Sequence, residues 1–203
     1  KELEKRGHAF VRYADDCNVY VHSQRAGERV MELLVRLYAG LHLRVNQAKS
    51  AVDFAWNRKL LGYSFWVAKD GTVRRRIAPK ALVTMKDRVR KMTRRTKGQS
   101  MARVVEELRS YLIGWRNYFC LAETPRTFSD LDKWLRRRLR ALHLKHWKQG
   151  RTIFKKLRAR GTPVSSAARI AALGHRWWRA STLANVALPV RYFDELGLPR
   201  LAT

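Results

Sequence analysis

Phe10-Val11-Arg12-Tyr13-Ala14-Asp15-Asp16 is the stretch on which the reading of this chain turns. Two adjacent carboxylates stand between strand-like runs, His8-Ala9-Phe10-Val11-Arg12 before and Cys17-Asn18-Val19-Tyr20-Val21 after. That arrangement predicts a β-hairpin with Asp15 and Asp16 at its tip. Asp is common in turns for local reasons, because its side chain bonds nearby backbone. Here an aromatic precedes the pair, and a helix-like stretch follows it. Like charges this close repel, and a divalent cation relieves the repulsion. Hard carboxylate oxygens suit Mg²⁺, and Mg²⁺ suits phosphate chemistry. The pair is an acidic island in a chain of formal charge +28. Together these features point to nucleotidyl transfer on nucleic acid.

The composition supports a folded, basic protein. Hydrophobic residues make up 46% of the 203, enough for a core. The pI of about 11.3 implies a polyanionic partner. No apolar run is long enough to span a bilayer, and the N-terminal residues show no signal core. The expected location is a bacterial-type cytoplasm, with no membrane partner. Cys17 and Cys120 form no CxxC pair, so no zinc knuckle is expected, and reduced thiols are the simpler reading. His143, His146 and His175 have no cysteine at zinc spacing and read as surface or helix-end residues. Charge is unevenly divided. Residues 1–70 hold 12 Lys+Arg against 8 Asp+Glu, whereas residues 71–203 hold 32 against 8. This places a boundary near Lys69-Asp70-Gly71 and predicts two domains, 1–70 and 71–203.

Periodicity supplies the elements. Val30, Leu33, Leu34, Leu37 and Tyr38 mark a helix over 26–38, with Gly40 as its stop. Strands are expected over 41–45 and 51–56, a strand pair or a bent strand over 60–67, and 72–77 returns after Asp70-Gly71. Helices are expected over 79–95, 101–119, 125–148, 152–160 and 165–180, with a loop over 96–100 and Ser100 as an N-cap. The tail from residue 182, with Pro189, Gly197 and Pro199, reads as irregular. The fold class is therefore α+β, antiparallel strands plus a helix followed by a helical domain. Arg74, Arg75 and Arg76 lie on one strand and cannot all face one way. Arg136, Arg137 and Arg140 share a helix face by their spacing, opposite a stripe of Leu131, Leu135, Leu139 and Leu142. That helix is expected to face the core on one side and phosphates on the other. Trp115, Tyr118, Phe119, Trp134, Trp147, Trp177 and Trp178 read as core before base-stacking residues.

Several blocks together resemble the C-terminal half of a group II intron reverse transcriptase/maturase. The stretch from Phe10 to Asp16 looks like the catalytic palm motif of that family. Leu41-His42-Leu43, with Asn46 and Lys49-Ser50, looks like the next block, although the family more often has Thr after the lysine. Leu61-Gly62-Tyr63 looks like the primer-gripping block. Leu112-Ile113-Gly114-Trp115-Arg116-Asn117-Tyr118-Phe119 looks like the signature of the maturase (X, or thumb) domain. Trp134, the run from Arg136 to Arg140, and Trp147-Lys148 resemble its next helix.

The resemblance implies a partial palm followed by a thumb/maturase domain. It gives Asp15 and Asp16 the role of Mg²⁺ ligands, Lys49 that of neutralising phosphate charge, and Gly62 and Tyr63 that of holding the primer. Arg74, Arg75, Arg76, Arg116, Arg136, Arg137, Arg140 and Lys148 make up the expected RNA-binding set. The family's fingers and first palm blocks, which supply a third carboxylate, do not precede the hairpin, and Asp53 is a candidate local substitute. The implied partners are group II intron RNA and a DNA primer or target, with a separate N-terminal polypeptide or a second copy completing the site. The expected function is RNA-directed DNA polymerase lineage, binding intron RNA for splicing and mobility. The alternatives are a non-catalytic splicing cofactor and the remnant of a truncated gene.

Overall fold

Two short strands turn back on each other at the acidic pair. β1 (Ala9–Tyr13) and β2 (Asp16–Tyr20) run antiparallel, with Tyr13 opposite Asp16. Only Ala14 and Asp15 lie between them, and Ala14 takes φ 49°. Two-residue hairpin loops favour such positive φ because the turn then follows the twist of the strands. The structure is a computed structural model and describes residues 1–95 and 98–202. Thr96 and Lys97, part of the expected loop, lie outside the described residues.

A short helix, α1 (Glu2–Lys5), precedes the hairpin and α2 (Gln24–Gly40) follows it. Ser23 caps α2, its Oγ accepting from the Ala26 amide at 3.2 Å. Gly27 faces Val52 so closely that a Cβ on Gly27 would sit 2.5 Å from a Val52 methyl. The helix ends at Gly40, the expected stop, and His42 beyond its C-cap Leu41 takes φ 57°. The amide of His42 donates to Ala39 O and that of Leu43 to Tyr38 O, the paired bonds of a Schellman cap.

That cap explains one correction. Residues 41–45 form no strand, because their leading amides are spent closing the helix. Residues 51–56 form none either. Asp53 Oδ1 accepts from the Phe54 amide at 2.7 Å and from Asn57 Nδ2 at 2.9 Å, turning the chain into a single 3₁₀ turn, Ala55–Asn57. Of the two readings of 60–67, a strand pair or a bent strand, the chain takes the pair, as a hairpin. β3 (Lys59–Leu60) and β4 (Tyr63–Val67) join through Leu61 and Gly62, at φ 50° and 78°. β5 (Val73–Ile77) completes an antiparallel sheet in the order β3-β4-β5.

The chain divides into two units, Lys1–Ala78 and Pro79–Thr203. β5 pairs with β4 and so belongs to the first. That unit buries Leu3, Val30, Ala68, Ile77 and Ala78, while Leu41, Leu43, Phe54 and Trp56 stay exposed.

The second unit is helical: α3 (Pro79–Met92), α4 (Met101–Tyr118), α5 (Pro125–Trp147), α6 (Gly150–Arg158), α7 (Val164–Ala172), α8 (Trp177–Leu183) and α9 (Val190–Glu195). Ser100 caps α4 as expected, accepting from the Arg103 amide. α5 runs 23 residues and contributes Leu131, Leu135, Leu139 and Leu142 to the core, the predicted stripe. Gly150 opens α6, and the break before it falls at Lys148, which takes φ 58°, ψ −74° while the Gln149 amide donates to Trp147 O at 2.8 Å. The helix expected over 165–180 is two, interrupted at Gly174 with φ 52°. The tail expected to be irregular contains α9, and Leu188, Phe193, Leu198 and Leu201 are all buried.

Candidate nucleic-acid interface

Asp15 and Asp16 sit at the hairpin tip, exposed, with Asp15 in the turn and Asp16 opening β2. Arg12 Nε donates to Ala14 O at 3.1 Å and braces the turn. Among the described residues no group of three or more His, Cys, Asp or Glu is placed to hold a metal ion. Two exposed carboxylates match the hard-oxygen preference of Mg²⁺, but they are fewer than the ion needs without substrate phosphates or water. Asp53 is spent on its own turn, and its hydrogen bonds to Asn57 and the Phe54 amide hold its carboxyl below the usual range. Lys49 is exposed in a turn, its carbonyl accepting from Arg58 Nη2 at 2.9 Å. Gly62 occupies a hairpin turn that its positive φ demands, and its carbonyl accepts from the Ala78 amide. Tyr63 starts β4 opposite Ile77.

The three arginines of β5 divide between faces. Arg74 pairs across the sheet with Trp66 and Arg76 with Ser64, whereas Arg75 lies opposite Phe65 on the other side. Arg74 Nη2 meets Asp70 Oδ2 at 2.9 Å, and Arg76 Nε donates to Ser64 Oγ at 3.2 Å.

On α5 the structure corrects the expected phosphate-facing back. Arg136 and Arg140 are 3% and 7% exposed and face the returning tail rather than solvent. Arg136 Nη1 reaches Asp132 Oδ1 at 2.8 Å and Nη2 reaches Asp194 Oδ1 at 3.1 Å. The other work of Asp132 is to accept from the Leu201 and Ala202 amides. Arg140 Nε donates to Leu188 O at 2.8 Å and Nη2 to Asn185 Oδ1, and burial followed by the nearby charge of Arg136 pushes its pKa down to about 10. Arg137 is half-buried, stacked over Trp178 at 4.2 Å. The i, i+4 spacing that puts these side chains on one face cannot say whether a later segment covers that face.

The other members of the expected set are more open. Arg116 is half-exposed on α4, and Lys148 is exposed at the strained turn after α5. The aromatics split. Phe119 and Trp177 are buried, Trp115, Trp134 and Trp147 are intermediate, and Tyr118 and Trp178 are exposed. His143, read as a surface or helix-end residue, is instead buried between Trp147 and Tyr192, with Nε2 2.7 Å from the Tyr192 hydroxyl. Burial, with Arg160 and His146 nearby, pushes its pKa down to about 4.

One grouping escaped the sequence reading. Arg88, Lys91 and Arg94, from α3 and the residues after it, line a cavity with Arg138 of α5 and Tyr111 of α4. The signal was present as Arg/Lys at three-residue spacing over 88–94, but α3 showed no motif to single it out.

Comparison with curated proteins finds no match. No helix among the described residues is long and apolar enough to cross a membrane. Residues 82–161 do match the family model for the group II intron, maturase-specific domain. The matched segment runs from α3 to the end of α6 and holds the signature around Trp115 and all of α5. By this match the segment 82–161 of the helical unit is similar to the group II intron, maturase-specific domain.

Proposed function

We propose that this chain binds folded group II intron RNA through its helical unit and assists splicing by stabilising that RNA. The observation that carries the reading is electrostatic. Residues 79–203 hold 29 Lys+Arg against 8 Asp+Glu, and most of the cations among the described residues are exposed. Phosphate neutralisation by such a surface dominates affinity for structured RNA. In this reading the hairpin of the first unit is of polymerase-palm lineage. Asp15 and Asp16 would hold Mg²⁺, which supplies charge neutralisation at phosphate when bound, and Lys49, Gly62 and Tyr63 would lie toward the primer. The exposed Leu41, Leu43, Phe54 and Trp56 support a further polypeptide surface against this unit, whether a separate chain or a second copy.

The test is a filter-binding titration of the full chain on a group II intron transcript over a range of salt. Log affinity should fall linearly with log salt, with a slope of several units. Splicing of the transcript at low Mg²⁺ should accelerate in parallel. A flat salt dependence sinks the reading.

A further inference from the structure

The open cavity between α3, α4 and α5, of about 1100 Å³, is lined by five cations and one carboxylate among the described residues. Arg88 and Lys91 lie three residues apart on α3, so they share a face, and Arg94 follows the helix end. All three are exposed. Arg138 enters from α5, half-buried, with Nε donating to Thr93 Oγ1 and Nη2 to Arg90 O at 3.1 Å. Thr93 is itself pinned to Val89 O at 2.6 Å, so the Arg138 guanidinium is held in place before any ligand arrives.

The acids nearby do not discharge these cations. Glu107, the one carboxylate of the lining, is held by Gln99 Nε2 at 2.7 Å and approached by Arg103 Nε at 3.4 Å. Asp87 is taken by Arg90 at 2.6 Å. Burial, together with the positive charges of Arg95 and Arg90, pushes the pKa of Arg138 down, as expected of a cation left short of counter-charge. Tyr111 adds an aromatic wall, and burial pushes its phenol up, so its hydroxyl stays a donor.

We propose that this cavity seats the phosphodiester backbone of an RNA strand, with Arg88, Lys91 and Arg94 neutralising phosphates and Arg138 as the preset guanidinium on its floor. The proposal rests on the RNA-binding reading and names the site. A cavity of this volume exceeds what one inorganic anion fills, and the exposed rim lets a strand enter and leave. Tyr111 supplies the stacking surface that single-strand sites use.

The test compares two variants of the full chain with equal loss of charge, using a fluorescein-labelled oligouridylate. One is Arg88→Gln/Arg94→Gln, at the cavity rim. The other is Arg29→Gln/Arg36→Gln, exposed on α2 of the first unit. The rim variant should weaken binding about tenfold and lower the salt slope by about two, while the α2 variant keeps the slope. Equal effects of the two variants overturn the cavity and leave RNA binding standing. No binding of the oligouridylate by the unaltered chain overturns the cavity, and no binding of the intron transcript in the filter titration overturns RNA binding itself. A measurement free of variant folding uses 4-thiouridine in the same probe. Cross-links mapping to peptides that contain Tyr111 support the site, and cross-links only elsewhere overturn it.

Discussion

Arg136 joins two carboxylates, Asp132 and Asp194, that lie 62 positions apart in the chain. Its partners are also the anchors of the last residues, since Asp132 holds the Leu201 and Ala202 amides and Asp194 takes Arg200. Removing Arg136 takes the buried counter-charge from both carboxylates and leaves them the tail amides and Arg200, and loss of one partner of a buried pair costs about 3–5 kcal/mol. Arg136→Ala should therefore lower the urea midpoint sharply, and a midpoint within error of the unaltered chain would contradict the buried network. His143 makes the same point through pH. Its folded pKa is held near 4 by burial, below the ~6.5 of an unfolded chain. The folded state then binds fewer protons than the unfolded one between those values. The contribution is complete above about pH 6.5 and is lost as pH falls toward 4, on the order of 2–3 kcal/mol. His143→Gln should flatten the stability profile over that window, which urea unfolding at stepped pH measures. Neither residue advertised its burial, because a single Arg or His on a helix carries no mark of what will cover it.

At the scale of elements, caps and turns decided what periodicity left open. The leucines of α5 and the Ser100 cap of α4 follow from spacing and from one side chain, and both stand as read. The strands expected over 41–45 and 51–56 fail because His42 and Asp53 divert backbone groups into local bonds. Such choices rest on single hydrogen bonds, so alternating hydrophobicity cannot foresee them. The β1–β2 hairpin was legible because two apolar runs flank a two-residue loop. Its carboxylates are exposed, so they contribute little to packing. Asp15→Asn/Asp16→Asn should keep the fold and keep RNA binding, slightly strengthened by the loss of two negative charges near a polyanion. Filter binding measures this, and a loss of affinity would show that the hairpin tip takes part in RNA recognition.

At the scale of the molecule, the two units differ in what they can do. The first presents two carboxylates with no third metal-binding group among the described residues, and Mg²⁺ demands near-octahedral coordination. A primer-extension assay on an RNA template should therefore show no product from this chain alone, and extension lost on Asp15→Ala would reverse that expectation. The second unit carries the charge and the maturase-specific match. The sequence by itself determined the α+β class, the hairpin with its acidic tip, the helices of the basic half and the net positive charge of the chain. These depend on residues within a few positions of one another, or on sums over the whole chain. Only the tertiary structure decided which cations are available. The segment after α8 read as irregular, yet it buries Leu188, Phe193, Leu198 and Leu201 and thereby closes over Arg136 and Arg140. The cavity cations are likewise brought together from α3, the residues after it and α5. Both outcomes depend on which surfaces meet across long separations, and that is settled by the burial of apolar area in the assembled unit, not by spacing along the chain.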